Sequence, residues 1–321
     1  MRGIHLLFDG NGTAYRANVV TELSTKQGFR TSAIMGTLNI LHSTVADVKK
    51  EYHLPVKDAI FAWDKGHSKR RTDLYPEYKC GRRQNWTPED KQWMEEFYAQ
   101  IDILHQKLPL LGVKSYYQTG WEGDDIVWGF VKEITRSNPD DIIVIVSSDE
   151  DFHQLIAANV HIYTPVKKAF ITPENYQEVK GIKLESFVLY KILQGDSSDS
   201  IPGIPGIGEK TAKSLVNTYG TLDNMVEHKD ELRASKRTAK ILTREGLQIL
   251  DRNVQLIDLK EYVDLTPIAD DIRQVLSVHP QVNLKEFKQF LMDYQLVSLL
   301  VKLKEWIVTF EDIETGYCED I

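Results

Sequence analysis

Residues 142–151 read IIVIVSSDED, an unbroken apolar run of one strand's length that ends in Asp149 and Asp151. The same pattern occurs twice upstream. Residues 3–8 (GIHLLF) end in Asp9, and residues 59–63 (AIFAW) end in Asp64. Glu122, Asp124 and Asp125 stand where a helix begins, with Ile126, Phe130, Val131 and Ile134 on one face. Residues 113–117 and 160–163 read as further strands, and Leu38, Leu41, Val45 and Val48 repeat at helical spacing. Alternating strand and helix through about residue 180 predicts an α/β fold, a mostly parallel sheet covered by helices. Ligands of such sheets bind beyond the carboxyl ends of the strands, where these acids are.

One Asp after one strand is ordinary turn or helix-cap chemistry. Three strand ends that each deliver acid, joined by Asp196 and Asp199 flanking a Ser pair, point to one crevice holding many carboxylates. Charge of that density requires cations to neutralise it. All-oxygen donors suit hard ions such as Mg²⁺ or Mn²⁺, and two such ions can clamp the attacking and leaving oxygens of a phosphodiester. Glu122 and Asp125, three apart, share a helix face. The nine His residues show no metal-ligand spacing.

The length of 321 residues fits two domains or one domain with an appendage, and 42% hydrophobic with 27% charged residues predicts a packed globular chain. No apolar run reaches about 18 residues, the length of a membrane span, and the start MRGIHLLFDG turns acidic too early for a signal peptide. Cys80 and Cys318 alone imply no disulfide framework, so a cytoplasmic setting is expected. The net charge of −8 argues against nucleic acid at face value, yet setting the nine acids aside leaves the rest of the chain near +1.

Residues 69–86 read KRRTDLYPEYKCGRRQNW. Lys69, Arg70, Arg71, Lys79, Arg82 and Arg83 are interleaved with Tyr75, Tyr78 and Trp86. Cations track a phosphate backbone and rings stack on bases, which is how single strands are gripped. From about residue 181 the pattern turns helical, including a long helix over 284–306 and an acidic tail from about 306 that Phe310 could anchor. Residues 203–211 (GIPGIGEKT) are not a P-loop, because Glu209 separates Gly208 from Lys210 and helix precedes the motif. They read as a helix–hairpin–helix turn, with Gly203, Gly206 and Gly208 admitting a phosphate to a helix N-terminus beside Lys210 and Thr211.

Asp9, Asp64 followed by LYPEYKCGRR, EGDD at 122–125, SSDEDFHQL at 147–155 and GDSSDSIPGIPGIGEKTA at 195–212 together resemble the 5′-nuclease (flap endonuclease) family. That family includes the 5′-nuclease domain of bacterial DNA polymerase I and stand-alone phage enzymes, one called phage ribonuclease H. The likeness covers about residues 1–305, and the stand-alone phage members are the closer match.

The resemblance implies a PIN-like catalytic domain over 1–180 with an arch near 69–100. A helical DNA-binding region of H2TH/SAM type would span 181–305, its turn at 195–216, and a tail 306–321. It implies metal-site roles for Asp9, Asp64, Glu122, Asp124, Asp125, Asp149, Asp151, Asp196 and Asp199. Lys79 and Arg82 would be catalytic together with Asp124 and Asp149, and Arg16 and Tyr75 would contact phosphate and a terminal base. The implied cofactors are two or more Mg²⁺, replaceable by Mn²⁺, and K⁺ held by carbonyls near 197–207.

The implied reaction is hydrolysis near the 5′ end of branched, nicked or flapped DNA or RNA–DNA hybrid. It would leave a 5′-phosphate and serve primer and flap removal in the cytoplasm of a host cell. The implied partners are a single-strand-binding protein and a sliding clamp, although no clamp motif is legible; a monomer off the membrane is expected. Gly123, Cys80, Glu150 and Ser200 depart from the family pattern. Two other classes compete. One is a structure-specific DNA-binding protein without catalysis. The other is a haloacid-dehalogenase-type phosphatase, which needs an acid where Asn11 stands.

Overall fold

The computed structural model describes residues 2–310, the side chain of Arg83 excepted. The first half runs β1 (Ile4–Asp9), α1 (Gly10–Val20), α2 (Ser32–Tyr52), β2 (Val56–Trp63), α3 (Lys69–Leu74), α4 (Pro88–Lys107), β3 (Lys114–Tyr117), α5 (Gly123–Ser137), β4 (Ile142–Val146), β5 (Val160–Thr164) and β6 (Ala169–Ile171). The strands form one sheet in the order β3-β2-β1-β4-β5-β6, parallel except for β6. Strand β1 shows why both parities of its sequence are apolar. Ile4, Leu6 and Phe8 pack with α1, α2 and α4, while Leu7 packs with α5 on the other face. Neither face meets water, as in parallel sheets generally.

After β1 the chain steps outward to β2 and β3, then returns to place β4 on the other side of β1. That reversal opens a crevice at the carboxyl ends of β1 and β4. At the opposite end of the sheet, His5 lies between Asp58 (2.8 Å) and Asp141 (3.1 Å), with Lys114 on Asp58 (2.6 Å) and Lys57 on Asp141 (2.8 Å). This buried, mutually satisfied network ties the strand starts together.

The second half is helical: α6 (Tyr176–Lys180), α7 (Phe187–Gln194), a hairpin of β7 (Gly195–Asp196) and β8 (Ile201–Pro202), then α8 (Glu209–Tyr219), α9 (Leu222–Glu227), α10 (Lys229–Arg233), α11 (Arg244–Ile257), α12 (Leu259–Tyr262) and α13 (Ala269–Ser277). Leu193, Val216, Leu250 and Ile272 share one core with Phe130 of α5.

The long helix expected over 284–306 is instead three: α14 (Leu284–Asp293), α15 (Val297–Val301) and α16 (Leu303–Ile307). Gln295, at φ +56°, takes a left-handed conformation that stops α14. These helices return to the first layer. Phe287 and Phe290 join the α2 core, Trp306 stacks on His42 at 5.2 Å, and Lys49 Nζ donates to the Thr309 carbonyl at 2.7 Å. A tail boundary at 306 therefore has no counterpart, because Trp306, Ile307 and Phe310 are core residues. The rest of the expected tail lies outside the described residues, as does Cys318. Among the described residues, no helix is long and apolar enough to cross a membrane.

Candidate active site

Each strand end is locked by a backbone or hydroxyl donor. Asp9 caps α1, accepting the Gly12 N–H at 2.9 Å on one oxygen and the Ser147 hydroxyl at 2.9 Å on the other. A side chain at position 12 would collide with that carboxylate, which accounts for glycine there. Asp64 accepts the N–H of Gly123, at the start of α5, at 2.5 Å, and its own N–H donates to Asn11 at 3.0 Å. Asp149 accepts the Asp151 N–H at 2.9 Å. The result is a crevice of about 990 Å³ lined by Asp9, Asp64, Glu122, Asp124, Asp149, Asp151 and Asp199, with Lys79 and Arg82 also on its walls.

The remaining two acids of the expected nine sit behind the crevice. Asp125 lies under Arg71, and Asp196 is held by Lys191 at 2.6 Å and by the Ser198 N–H at 2.8 Å. A second seam joins the turn after α3 to the β7–β8 hairpin. The Lys79 N–H donates to the Asp199 carbonyl at 2.8 Å, Arg82 donates to the Ser198 carbonyl at 3.2 Å and to Asp199 at 2.5 Å, and Gly81 donates to the Ser200 hydroxyl at 3.3 Å. Residues 120 positions apart thus meet, and Lys79 Nζ comes within 2.9 Å of Glu122.

The electrostatics divide the acids in two. Burial pushes Asp9 up to about 6, and the neighbouring charges of Asp64 and Asp124 add to it. Burial does the same to Asp149, to about 6, to Asp151, to about 7, and to Asp125, to about 6, each with a carboxylate neighbour reinforcing it. Asp64 is raised for the same reason. Glu122 and Asp196 are the contrary cases. Burial again works upward, but Lys79 and Arg71 hold Glu122 below its ordinary value, and Lys191 holds Asp196 at about 2.

The pocket therefore carries negative charge that its own cations leave uncompensated. Its donors are all carboxylate oxygens, the chemistry of a hard divalent ion. Among the described residues no three acidic, His or Cys side chains converge as ready-made ligands on one point. Arg71, Lys79 and Lys191 are paired with several of them. Mg²⁺, which keeps several waters and takes one or two direct carboxylates, fits such a spread donor set.

The basic stretch departs from expectation. Arg71 was expected to grip a strand, yet it is 1% exposed and spends its guanidinium on Glu122, Asp124 and Asp125 at 2.8–3.3 Å, with the Leu256 carbonyl on Nε. Its expected contact with DNA is corrected to a buried strut, because three carboxylates inside the fold attract it more strongly than solvent does. Arg70 is half-buried on the Gln255 carbonyl at 2.6 Å. Tyr75 is half-buried under Arg252, whose guanidinium lies 4.7 Å from its ring. Lys69 is exposed and paired with Asp73. Arg16 is half-buried on α1. The side chain of Arg83 lies outside the described residues.

At the glycine-rich turn, Gly206 takes φ +89° and Gly208 caps α8 without a side-chain acceptor, leaving the first N–H groups of that helix open beside exposed Lys210 and half-buried Thr211. A Cβ on Gly203 would strike the Gln194 and Leu193 carbonyls, so glycine there serves packing.

Two family models account for most of the chain. The 5′-3′ exonuclease N-terminal resolvase-like domain matches residues 5–181, and the 5′-3′ exonuclease C-terminal SAM fold matches residues 182–281. The chain belongs to the 5′-3′ exonuclease family. DNA polymerase I of Rhizobium leguminosarum is 31% identical over 308 residues, covering 95% of this chain and 29% of that relative, so the chain spans under a third of such a protein. Among solved structures, T5 5′-exonuclease with bound zinc superposes with a TM-score of 0.65 at 22% identity, over 91% of this chain and 99% of that one. The T5 flap endonuclease in a pseudo-enzyme–product complex with DNA and metal ions gives a TM-score of 0.64 at 21% identity, over 91% and 98%. At that identity the likeness is one of fold. It covers the PIN-like sheet and the helical half together.

Within this 5′-3′ exonuclease family member the departures from the family pattern find local partners. Glu150 is paired with Lys180 at 2.5 Å, and the Ser200 hydroxyl receives Gly81. At Gly123 an added Cβ would come within 3.1 Å of Asp64. Sequence reasoning gave Lys191 no role at the site and read Tyr78 only as a ring for stacking on bases. Lys191, the one charged residue in the otherwise apolar α7, bridges Asp151 and Asp196; a lone lysine on a buried helix was the available signal. Tyr78 donates its hydroxyl to Glu122 at 2.8 Å and lies 3.1 Å from Asp199. Its signal was weaker, because it sits among other aromatics.

Proposed function

We propose that this chain is a metal-dependent 5′-nuclease. It hydrolyses phosphodiesters near the free 5′ end of branched or nicked duplexes and leaves a 5′-phosphate. The observation that carries this reading is the single crevice in which seven of the nine expected metal-site acids share walls with Lys79 and Arg82. Asp9, Asp64, Asp124, Asp149 and Asp151 would hold Mg²⁺ or Mn²⁺, with Asp199 on the wall toward the β7–β8 hairpin and Asp196 behind it, tied to Asp151 through Lys191. Bound there, the ions supply Lewis-acid charge at the scissile phosphate and lower the pKa of water.

The protein's own part is positioning and charge. Lys79, fixed by Glu122 and by its backbone bond to Asp199, places an ammonium at the mouth of the acid cluster, where it would stabilise charge developing on the phosphate. The open N-terminus of α8 and the turn at Gly203, Gly206 and Gly208 would hold duplex by its backbone without reading sequence, and K⁺ bound by carbonyls near 197–207 would support that turn. That T5 5′-exonuclease binds zinc and that the T5 flap endonuclease complex holds DNA and metal ions support a metal-dependent, DNA-directed reading. Removal of flaps and RNA primers during replication, and action on RNA–DNA hybrid, extend the same reading.

The test is cleavage of a 5′-labelled flap duplex with Mg²⁺ and with EDTA, native chain against Asp149→Asn. Products that require metal and vanish in the variant support the nuclease. A flap that stays bound and uncut at every metal concentration returns the protein to a structure-specific binder.

A further inference from the structure

Helix α7 ends, as every helix does, in carbonyls that have no partner inside the helix. Two of them are answered from outside. The Ile204 N–H donates to the Leu193 carbonyl at 2.9 Å, and Asn253 Nδ2 of α11 donates to the Ile192 carbonyl at 3.0 Å. The same Nδ2 reaches the Pro202 carbonyl, at the end of β8, at 3.0 Å. On the other side of the amide, Asn253 Oδ1 accepts from Arg252 Nε at 3.1 Å and from Nη2 at 2.8 Å, and that Nη2 also donates to the Pro202 carbonyl at 2.8 Å. Asn253 is fully buried, and both hydrogens and both lone pairs of its amide are used.

The hairpin closed by these bonds carries two of the acids. Gly195 pairs with Pro202 and Asp196 with Ile201, and Asp199 stands between the two strands. Its carbonyl accepts the Lys79 N–H and its carboxylate accepts Arg82. The turn that bears Lys79 and Arg82 hangs from the same stretch of α11. Arg70 donates to the Gln255 carbonyl at 2.6 Å, Arg71 Nε donates to the Leu256 carbonyl at 3.3 Å, and the Arg252 guanidinium lies 4.7 Å from the Tyr75 ring. Residues 252–256 span little more than one helical turn. One turn of α11 thus grips both sides of the seam at which Lys79 meets Asp199.

Neither Arg252 nor Asn253 is among the residues that line the crevice. Their influence on it runs through the hairpin and the turn. A group misplaced by about 1 Å at a reacting centre can cost about 10² in rate, even when the cause is remote. Resting on the nuclease reading above, we propose that Arg252 and Asn253 are positioning residues for the crevice. They fix the β7–β8 hairpin against the turn after α3, and so set where Asp199, Lys79 and Arg82 stand relative to one another. The amide is suited to this as few side chains are. An aspartate at 253 would turn an oxygen toward two carbonyl oxygens, and an apolar residue would leave the Ile192 carbonyl buried without a donor.

The experiment measures amide hydrogen exchange, residue by residue, on the full chain in EDTA without nucleic acid. It compares the native chain with Asn253→Ala and Arg252→Lys. The second variant changes a half-buried side chain and keeps its charge, but an ammonium cannot hold Asn253 and Pro202 from one planar fork. In both variants the Lys79 and Ile204 amides are expected to exchange about tenfold faster relative to those of β1 and β4, the scale of one lost hydrogen bond. Single-turnover cleavage of a flap duplex in Mg²⁺ falls by about 10², while affinity for the same flap in EDTA stays at the native value. Equal acceleration at Lys79, β1 and β4 overturns the proposal, because it marks residues that only support the fold. Native exchange at Lys79 in both variants overturns it too, as does lost affinity at a preserved rate, which would put Arg252 on a phosphate. If Asn253→Ala does not fold, Arg252→Lys decides alone. A native chain that cuts no flap ends the nuclease reading, and exchange at Lys79 still decides whether the pair fixes the seam.

Discussion

Arg71 and Asp125 meet fork to fork, each terminal nitrogen of the guanidinium 2.8 Å from a carboxylate oxygen, with both side chains buried. Removing the cation leaves Asp125 as a buried charge without its partner, while Glu122 keeps Lys79 at 2.9 Å. Arg71→Ala is therefore expected to cost about 3–5 kcal/mol of stability. Arg71→Lys recovers little, since an ammonium cannot make the paired bonds. Denaturant melts measure the loss. At a temperature where the variant is folded, the salt dependence of its duplex binding matches the native chain. A slope reduced by about 0.9 would mean that Arg71 contacts a phosphate after all.

The raised carboxylates fix the sign of the pH response. Asp9 and Asp149 near 6, and Asp151 near 7, lie above the ordinary aspartate value. A group raised on folding contributes stability that is fully present below its unfolded pKa and is lost as pH rises through the folded one. Without divalent cations, the melting temperature should therefore climb as pH falls from about 8 to about 5. Mg²⁺ neutralises the same carboxylates and should flatten that climb while raising the melting temperature near pH 8. Asp196, depressed to about 2, gives up its stabilisation only far below this window. A flat melting temperature in EDTA across the window would show the cluster to be compensated by the chain's own cations.

Lys79 separates chemistry from anchoring. Its ammonium is fixed by Glu122 at 2.9 Å and its backbone by Asp199. Charge placed where it develops in a transition state contributes mainly to rate. Lys79→Ala should lower single-turnover cleavage by about 10²–10³, the scale for one preorganised donor, with flap affinity changed less than about threefold on the same reasoning. Rapid-quench kinetics with saturating enzyme give the first quantity and anisotropy gives the second. A large loss of affinity with a preserved rate would make Lys79 a phosphate anchor.

The sheet was legible because its strands are apolar on both parities and end in acid, and that pattern survives without tertiary information. The inward turn of Arg71 was not. In the run 69–86 nothing in residue type distinguishes the arginine that folds under α5 from those beside it; only the arrival of Glu122 and Asp125 from 51 and 54 residues away selects it. The Arg252 guanidinium over Tyr75 was not legible for a related reason, since it arrives from α11 across 177 positions. Trp306 read as the end of a long helix and Phe310 as a tail residue that could dock, but local composition cannot show that His42 and Phe287 are what they meet. Periodicity reports local structure, and these contacts are all long-range.

The glycines of the turn divide into packing and contact, and a pair of variants separates the two. At Gly203 an added methyl meets the backbone carbonyls of Gln194 and Leu193, which cannot move without unwinding the end of α7. Gly203→Ala should cost about 3 kcal/mol, the upper range for overpacking a tight site, and lose duplex binding only as it loses the fold. Around Gly208 there is open space, and its φ of −96° suits any residue. Gly208→Ala should melt within about 1 kcal/mol of the native chain, the scale of a helix-cap exchange. Yet the methyl stands where a phosphate would approach the N–H groups of α8. Affinity for a long nicked duplex is then expected to fall about ten- to a hundredfold, which is the size of one lost charge-assisted bond. Native affinity in Gly208→Ala would move the duplex off the N-terminus of α8.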